Sequence, residues 1–352
     1  MQKYLLVILF TSLTVYTNAT VRTVSNNPTN LAQFNTIQAA INASASGDTI
    51  YVHGSPTTYG SFSIVNKKLF LAGPGYLPDK AFPFTVSINT ATLNGDLCSG
   101  SKFEGLIFTN QVGVLDADSI HFLRNYFFGG YLNLSSNVNP TGYRGFVIEG
   151  NYFATASAFG ISAFYPINNS TIQNNVFYNS TLNGIQNGSG VILNHNLFYG
   201  PVSGSTGCFS TCNNFVLSNN IFVRRNAGSG NANSSFANNI TYLCGENTPW
   251  TLNGNVNVTG NVANQNPQMV DGSLVEAGTF GLLLNYTIAA GPANNTGSDA
   301  KDMGLLYDPI GFYNWANSRY SRLPFLYKMN IYNPVIQTGG TITVNIEARK
   351  NN

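Results

Sequence analysis

A short pattern returns through the middle of this 352-residue chain. In Ile148-Glu149-Gly150-Asn151-Tyr152-Phe153 an apolar residue is followed by two polar or small ones, an Asn and two apolar residues. The pattern recurs at Phe122-Leu123-Arg124-Asn125-Tyr126-Phe127 and at Ile172-Gln173-Asn174-Asn175-Val176-Phe177. It returns at Leu193-Asn194-His195-Asn196-Leu197-Phe198 and Leu217-Ser218-Asn219-Asn220-Ile221-Phe222. Phe236-Ala237-Asn238-Asn239-Ile240-Thr241 and Leu252-Asn253-Gly254-Asn255-Val256-Asn257 are looser copies. An earlier one, Phe103-Glu104-Gly105-Leu106-Ile107-Phe108, has Leu in place of Asn. The Asn positions 125, 151, 175, 196, 220, 239 and 255 lie 26, 24, 21, 24, 19 and 16 residues apart, about one turn of a solenoid.

Strands stacked in such turns sit about 4.8 Å apart, so equivalent residues form columns along the axis. Phe127, Phe153, Phe177, Phe198 and Phe222 make one interior column. Asn125, Asn151, Asn175, Asn196, Asn220 and Asn239 make a second, expected at a sharp bend where Asn tolerates the left-handed conformation and stacks its amides. A leucine-rich horseshoe would need regular Leu spacing and a steadier repeat length. The fold class read from this pattern is all-β, a right-handed parallel β-helix.

Composition agrees with a turn-rich fold. Asn occurs 50 times, whereas only 9% of residues are charged. The 13% aromatic content separates the chain from low-complexity disorder. A formal charge of +2 without a Lys/Arg run supplies no footprint for nucleic acid.

The chain opens with Lys3, an apolar stretch from Leu5 to Leu13, and the small-residue site Thr17-Asn18-Ala19. This reads as an export signal over residues 1–19, cut before Thr20. The stretch is too short and polar to span a bilayer, and no later segment is long enough to serve as a transmembrane segment. Phe34, Ile37, Ala40 and Ile41 recur at helical spacing, predicting a short N-terminal capping helix ended by Gly47-Asp48. Thr49-Ile50-Tyr51-Val52 and Lys68-Leu69-Phe70-Leu71-Ala72 then read as strands. The solenoid is expected over residues 20–310. A β-rich capping extension follows over 311–352, with strands at 328–332 and 341–346 around Thr338-Gly339-Gly340.

The run from Thr36-Ile37-Gln38-Ala39-Ala40-Ile41 through Gly47-Asp48-Thr49-Ile50-Tyr51-Val52 resembles the entry of the pectin-lyase-like β-helix superfamily. Asn266-Pro267-Gln268-Met269-Val270-Asp271 and the stretch Gly297-Ser298-Asp299 through Lys301-Asp302-Met303-Gly304 are similar to closing coils of secreted bacterial β-helix proteins. The resemblance implies fold and an exported, bacterial setting. It leaves activity open, because the group includes lyases, hydrolases, esterases and non-catalytic members. The pectin-hydrolysing branch carries Asn-Thr-Asp, Asp-Asp, Gly-His-Gly and Arg-Ile-Lys, and none of these occurs here. Lyases of the fold use an Arg or Lys base with acidic residues on Ca²⁺, and no dense acidic cluster matches.

The catalytic candidates are Asp116 and Asp118, which share a strand face by period two, with Arg124 just beyond. Arg124 also precedes the ladder Asn of its turn, as Asn174, His195, Asn219 and Asn238 do, which favours a surface column over a catalytic base. For substrate binding, Tyr131, Tyr143 and Tyr165 would form a sugar-stacking strip, and Arg224-Arg225 would grip an acidic sugar. His53, His121 and His195 are scattered, so no metal site is expected. Cys98 and Cys212 lie five turns or about 24 Å apart, and Cys244 lies about two turns beyond Cys212. Only a Cys208–Cys212 bridge fits this register, leaving Cys98 and Cys244 free. The absent signatures and scarce carboxylates favour a secreted or cell-surface, non-catalytic glycan-binding or structural protein without a cofactor. The alternative is a polysaccharide lyase, which would call for Ca²⁺, or a glycoside hydrolase, acting on an acidic polysaccharide. Oligomeric state is not legible.

Overall fold

The computed structural model describes residues 19–77, 83–134, 142–154, 159–201, 207–307, 315, 325–331, 341 and 343–349. Short strands of two to five residues wind into three parallel sheets of eleven, eight and seven strands. Each strand pairs with the equivalent strand one turn away, as in His121↔Val147, Tyr126↔Tyr152 and Leu132↔Ile161. The fold is therefore an all-β parallel β-solenoid. A helix, Ile37–Ala43, starts at Thr36, whose hydroxyl accepts from Ala39 N, and turns Ile37, Ala40 and Ile41 into the core.

Two columns hold the interior together. Phe108, Phe127, Phe153, Phe177, Phe198 and Phe222 stack with ring centroids 5.3, 4.6, 4.8, 4.6 and 5.1 Å apart. All six are fully buried, so each contributes apolar burial together with a ring contact. Beside them the Asn ladder runs from Asn125 to Asn261. Each Nδ2 donates to the Oδ1 of the next member at 2.9–3.2 Å. That same Oδ1 accepts the backbone N–H of the previous member, as Asn175 N does on Asn196 at 3.0 Å. The remaining Nδ2 hydrogen reaches a carbonyl in the preceding turn, Ile148 O for Asn175.

The ladder differs from expectation in two respects. Its members do not adopt the left-handed conformation; the residue before each does, at Arg124, Gly150, Asn174, His195, Asn219 and Asn238, with φ between 52° and 66°. The bend thus needs its tolerant residue one place earlier, and the ladder Asn is selected for its amide. The ladder also runs one member beyond the expected Asn239, to Asn261, because the final strand is Val256–Thr259 and the turn closes after it; Asn255, in the looser copy, precedes that strand.

After Val262 the chain adds no further turns. Residues 266–307 run back along the outside, where the expectation had closing coils. The outer face of the eight-stranded sheet carries Tyr126, Tyr152, Val176, Leu197, Tyr199, Ile221, Val223 and Ile240. Met269, Val275, Leu284, Tyr286, Ile288, Met303, Leu305 and Trp315 bury it as a second core. The hydroxyls of Tyr152, Tyr199 and Tyr286 meet inside it, 2.9 and 3.1 Å from one to the next. Further on, Phe325–Ile331 and Val344–Arg349 pair antiparallel; the expected turn at 338–340 lies outside the described residues.

The four cysteines are free and buried, in place of the expected Cys208–Cys212 bridge. Cys212 Sγ points to Leu182 O and Ser210 O, whereas Cys208 lies beside Arg225 and Cys244. Burial pushes the thiols of Cys212 and Cys244 up to about 11.

Candidate functional site

The three outer faces differ in chemistry. The eight-stranded face is apolar and covered by the returning segment. The eleven-stranded face carries Lys102, His121, Glu104 and Glu149 on its strands. The seven strands of the third sheet, from Phe62–Val65 to Phe209–Ser210, contain no charged residue and no His.

On this third sheet the period of two sends Ile64, Leu93, Val114, Leu134, Ile161 and Leu182 inward, where each is fully buried. The alternate positions register as one outward column, Ser63, Thr92, Gly113, Asn133, Ser162, Asn183 and Ser210. Its side chains are half-buried, and Asn183 Nδ2 donates to Ser162 Oγ at 3.2 Å. Gly113 keeps the middle of the column flat. At one margin Tyr131 meets Phe159 edge to face, with centroids 6.4 Å apart. Just past the strand end at the other margin, Phe164 is 75% exposed and packs edge-on against Tyr165. The result is a shallow track of amides and hydroxyls, with positions about every 4.8 Å and a gap at Gly113, bordered by aromatic rings. Groups that both donate and accept complement hydroxyl-rich ligands, and ring faces complement their C–H faces. No strand residue of the track can act as general acid or base.

The residues proposed from sequence fall elsewhere, with the exception of Tyr131. Asp116 and Asp118 do not share a strand face: the strand ends at Leu115, and Asp116 turns to φ 59°, which breaks the period of two. Asp118 holds the exposed Arg144 through Arg144 N and Nε, both at 3.0 Å. Arg124 is 8% exposed and pairs with Glu104 one turn away, so it stabilises the corner and is not poised as a base. Tyr143 is buried, its hydroxyl donating to Val114 O at 3.0 Å, and Tyr165 packs against the main core; neither joins a strip with Tyr131. Arg224 Nε donates to Glu276 O and ties down the returning segment. Arg225 is 1% exposed and donates to Asn179 Oδ1, Ser180 O, Thr181 Oγ1 and Gly207 O, so it is an internal clamp and not a solvated grip.

A second polar feature is the corner beside the Asn ladder, expected as a surface column but covered and largely buried in the structure. The left-handed residues present their side chains to the segment 296–306. Asn238 Nδ2 donates to Thr296 O at 2.8 Å, Asn219 Oδ1 accepts from Ser298 N at 2.7 Å, and Asn174 Oδ1 accepts from Leu306 N at 2.8 Å. Between them His195, 1% exposed, sets Nδ1 on Gly304 O at 2.9 Å and Nε2 near Asp299 Oδ2 at 3.1 Å. Burial lowers the His195 pKa despite the neighbouring Asp299, which is 40% exposed and therefore screened. The neutral ring donates from Nδ1, and Nε2 accepts from Asn219 Nδ2 at 3.2 Å. A cleft of about 150 Å³ opens beside it, lined by Gln173, Asn194 and Lys301 among others. With His195 enclosed, this corner is a clasp for the returning segment. The signal lay in the column Asn174, His195, Asn219 and Asn238; its partner segment has no repeat to betray it.

Among the described residues no group of three or more His, Cys, Asp or Glu is arranged to hold a metal ion, and no helix is long and apolar enough to cross a membrane. No family model matches the chain, and no curated protein matches it. Among solved structures, pectate lyase Pel9A is similar over 81% of this chain and 95% of its own, at 17% identity and a TM-score of 0.43. The GH136 lacto-N-biosidase from Eubacterium ramulus is similar over 70% of this chain and 68% of its own, at 11% identity and a TM-score of 0.35.

Proposed function

We propose that this protein is a non-catalytic glycan-binding protein of the cell exterior, gripping a neutral polysaccharide along the seven-stranded face. The observation that carries the reading is the uncharged outward column from Ser63 to Ser210 with Tyr131 and Phe159 at its margin. Its absence of charge disfavours an acidic chain, which would leave carboxylates desolvated without a cation. A ligand laid along the axis meets an amide or hydroxyl position in every turn but that of Gly113, so affinity grows with chain length. In this reading residues 1–19 are an export signal, the solenoid winds to the right, and the helix Ile37–Ala43 and residues 311–352 close its two ends.

The test is a panel of neutral and acidic polysaccharides assayed for retention and for release of cleaved or unsaturated product. Retention of a neutral polymer without product is expected. Tyr131→Ala should weaken it about two- to tenfold, the worth of one aromatic contact. Asp116→Asn with Asp118→Asn should leave it unchanged. Product release that this double variant abolishes would replace the proposal with a polysaccharide-cleaving enzyme.

A further inference from the structure

The first solenoid strand, Val21–Val24, is preceded by a residue held from two sides. Thr20 O accepts from Thr49 N at 2.9 Å, and Thr20 N donates to Asp48 Oδ1 at 2.9 Å. Asp48 is 3% exposed. Its other oxygen accepts from Ala45 N at 3.0 Å and from Arg22 Nε at 3.2 Å. Burial opposes ionisation of this carboxyl, but the donors from Thr20, Ala45 and Arg22 outweigh it and hold the pKa below the usual value. A buried anion is thus met by two neutral peptide groups and by one cation whose side chain is a quarter exposed. Directly upstream lie an apolar stretch and the small residues Thr17-Asn18-Ala19, and both Ala19 and Thr20 are exposed.

We propose that the chain is cut between Ala19 and Thr20 and that Asp48 is the receptor for the α-ammonium group this creates. The inference rests on the export reading above. An export-linked endopeptidase supplies the cut: water adds to the Ala19 carbonyl, the C–N bond breaks, Ala19 leaves as a carboxylate, and the Thr20 amine takes up a proton. That nitrogen already sits at hydrogen-bond distance from Asp48 Oδ1, so the receptor needs no rebuilding. A peptide N–H···O⁻ contact, already assisted by the carboxylate charge, becomes an ammonium–carboxylate ion pair with charge on both partners. Because Thr20 adjoins the edge strand of the eleven-stranded sheet, cutting fastens the first turn to the second. The Thr20 nitrogen keeps its place on Asp48 and gains a positive charge.

Two measurements test this separately. Full-length chain is exported and its intact mass read: a product running from Thr20 to Asn352 is expected, and one retaining Ala19 or beginning after Thr20 overturns the cut. The receptor is tested without export, in protein released from a fusion so that Thr20 comes first. Its amine should titrate above the ordinary α-amino range of about 7.7–8.0. Acetylating it should shift the unfolding equilibrium at least tenfold, and should do so far less in Asp48→Asn. Should Asp48→Asn fail to fold, the amine titration decides alone, and a value within the ordinary range overturns the receptor.

Discussion

Two neighbouring residues at each corner divide the work that sequence reading had assigned to one. The first takes the left-handed conformation, and the second supplies the stacked amide. The two are hard to separate by eye because Asn suits both tasks: Asn174-Asn175, Asn219-Asn220 and Asn238-Asn239 are doublets. Arg124, Gly150 and His195 break the symmetry and reveal which member may vary, since the amide position stays Asn in all of these turns. The role of Asn261 was hidden for a related reason, as Asn253-Gly254-Asn255 mimics the pattern six residues early, before the strand Val256–Thr259 instead of after it. Replacing Asn196 with Ala removes the acceptor for Asn175 N and Nδ2 and the donor to Asn220. A loss of about 1–3 kcal/mol is expected for these buried partners, measured by urea unfolding, with glycan retention unchanged. A cost below the error of that measurement would remove the ladder from the stabilising features.

At the scale of elements, the strands and the entry helix were legible because their apolar residues repeat at periods of two and near 3.6. The returning segment 266–307 was not, because it packs as irregular chain against a face whose own pattern, apolar on both sides, looks like ordinary buried strand. Its attachment at His195 has a pH signature. The groups around the ring are Asp299, which favours protonation, Lys301, which opposes it, and the neutral Gly304 O and Asn219, with burial the largest influence and acting against charge. The unfolded chain takes up this proton near 6.5, whereas the folded one resists it to lower pH. The unfolded state therefore binds more protons below 6.5, so this contribution is complete above that value and falls as pH drops through it. His195→Asn keeps a residue that tolerates the left-handed position and should flatten the slope of melting temperature between about pH 5 and 6.5. An unaltered slope would place the titrating group elsewhere.

Among the described residues the whole molecule is held together without a disulfide. Four cysteines allow two bridges, and turns about 4.8 Å apart keep Cys98 away from Cys212; both are free. Register was no guide at Cys208 and Cys212 because short spacing does not set side-chain direction: the two thiols meet different neighbours. The expected outcome is a melting temperature indifferent to reductant, and four thiols that label only after denaturation. A shift on adding reductant would disprove the free-thiol assignment. The stack of Phe rings and the strand register account for this independence, because each turn is supported by the turns on both sides. The Asn ladder adds a directional property. Each amide from Asn125 to Asn239 directs one Nδ2 hydrogen to the next member while the Oδ1 of that member receives it, so the side-chain chain runs one way along the axis. Six successive amide contacts in one sense polarise one another, so the ladder gives the solenoid axis an electrical direction as well as a chain direction.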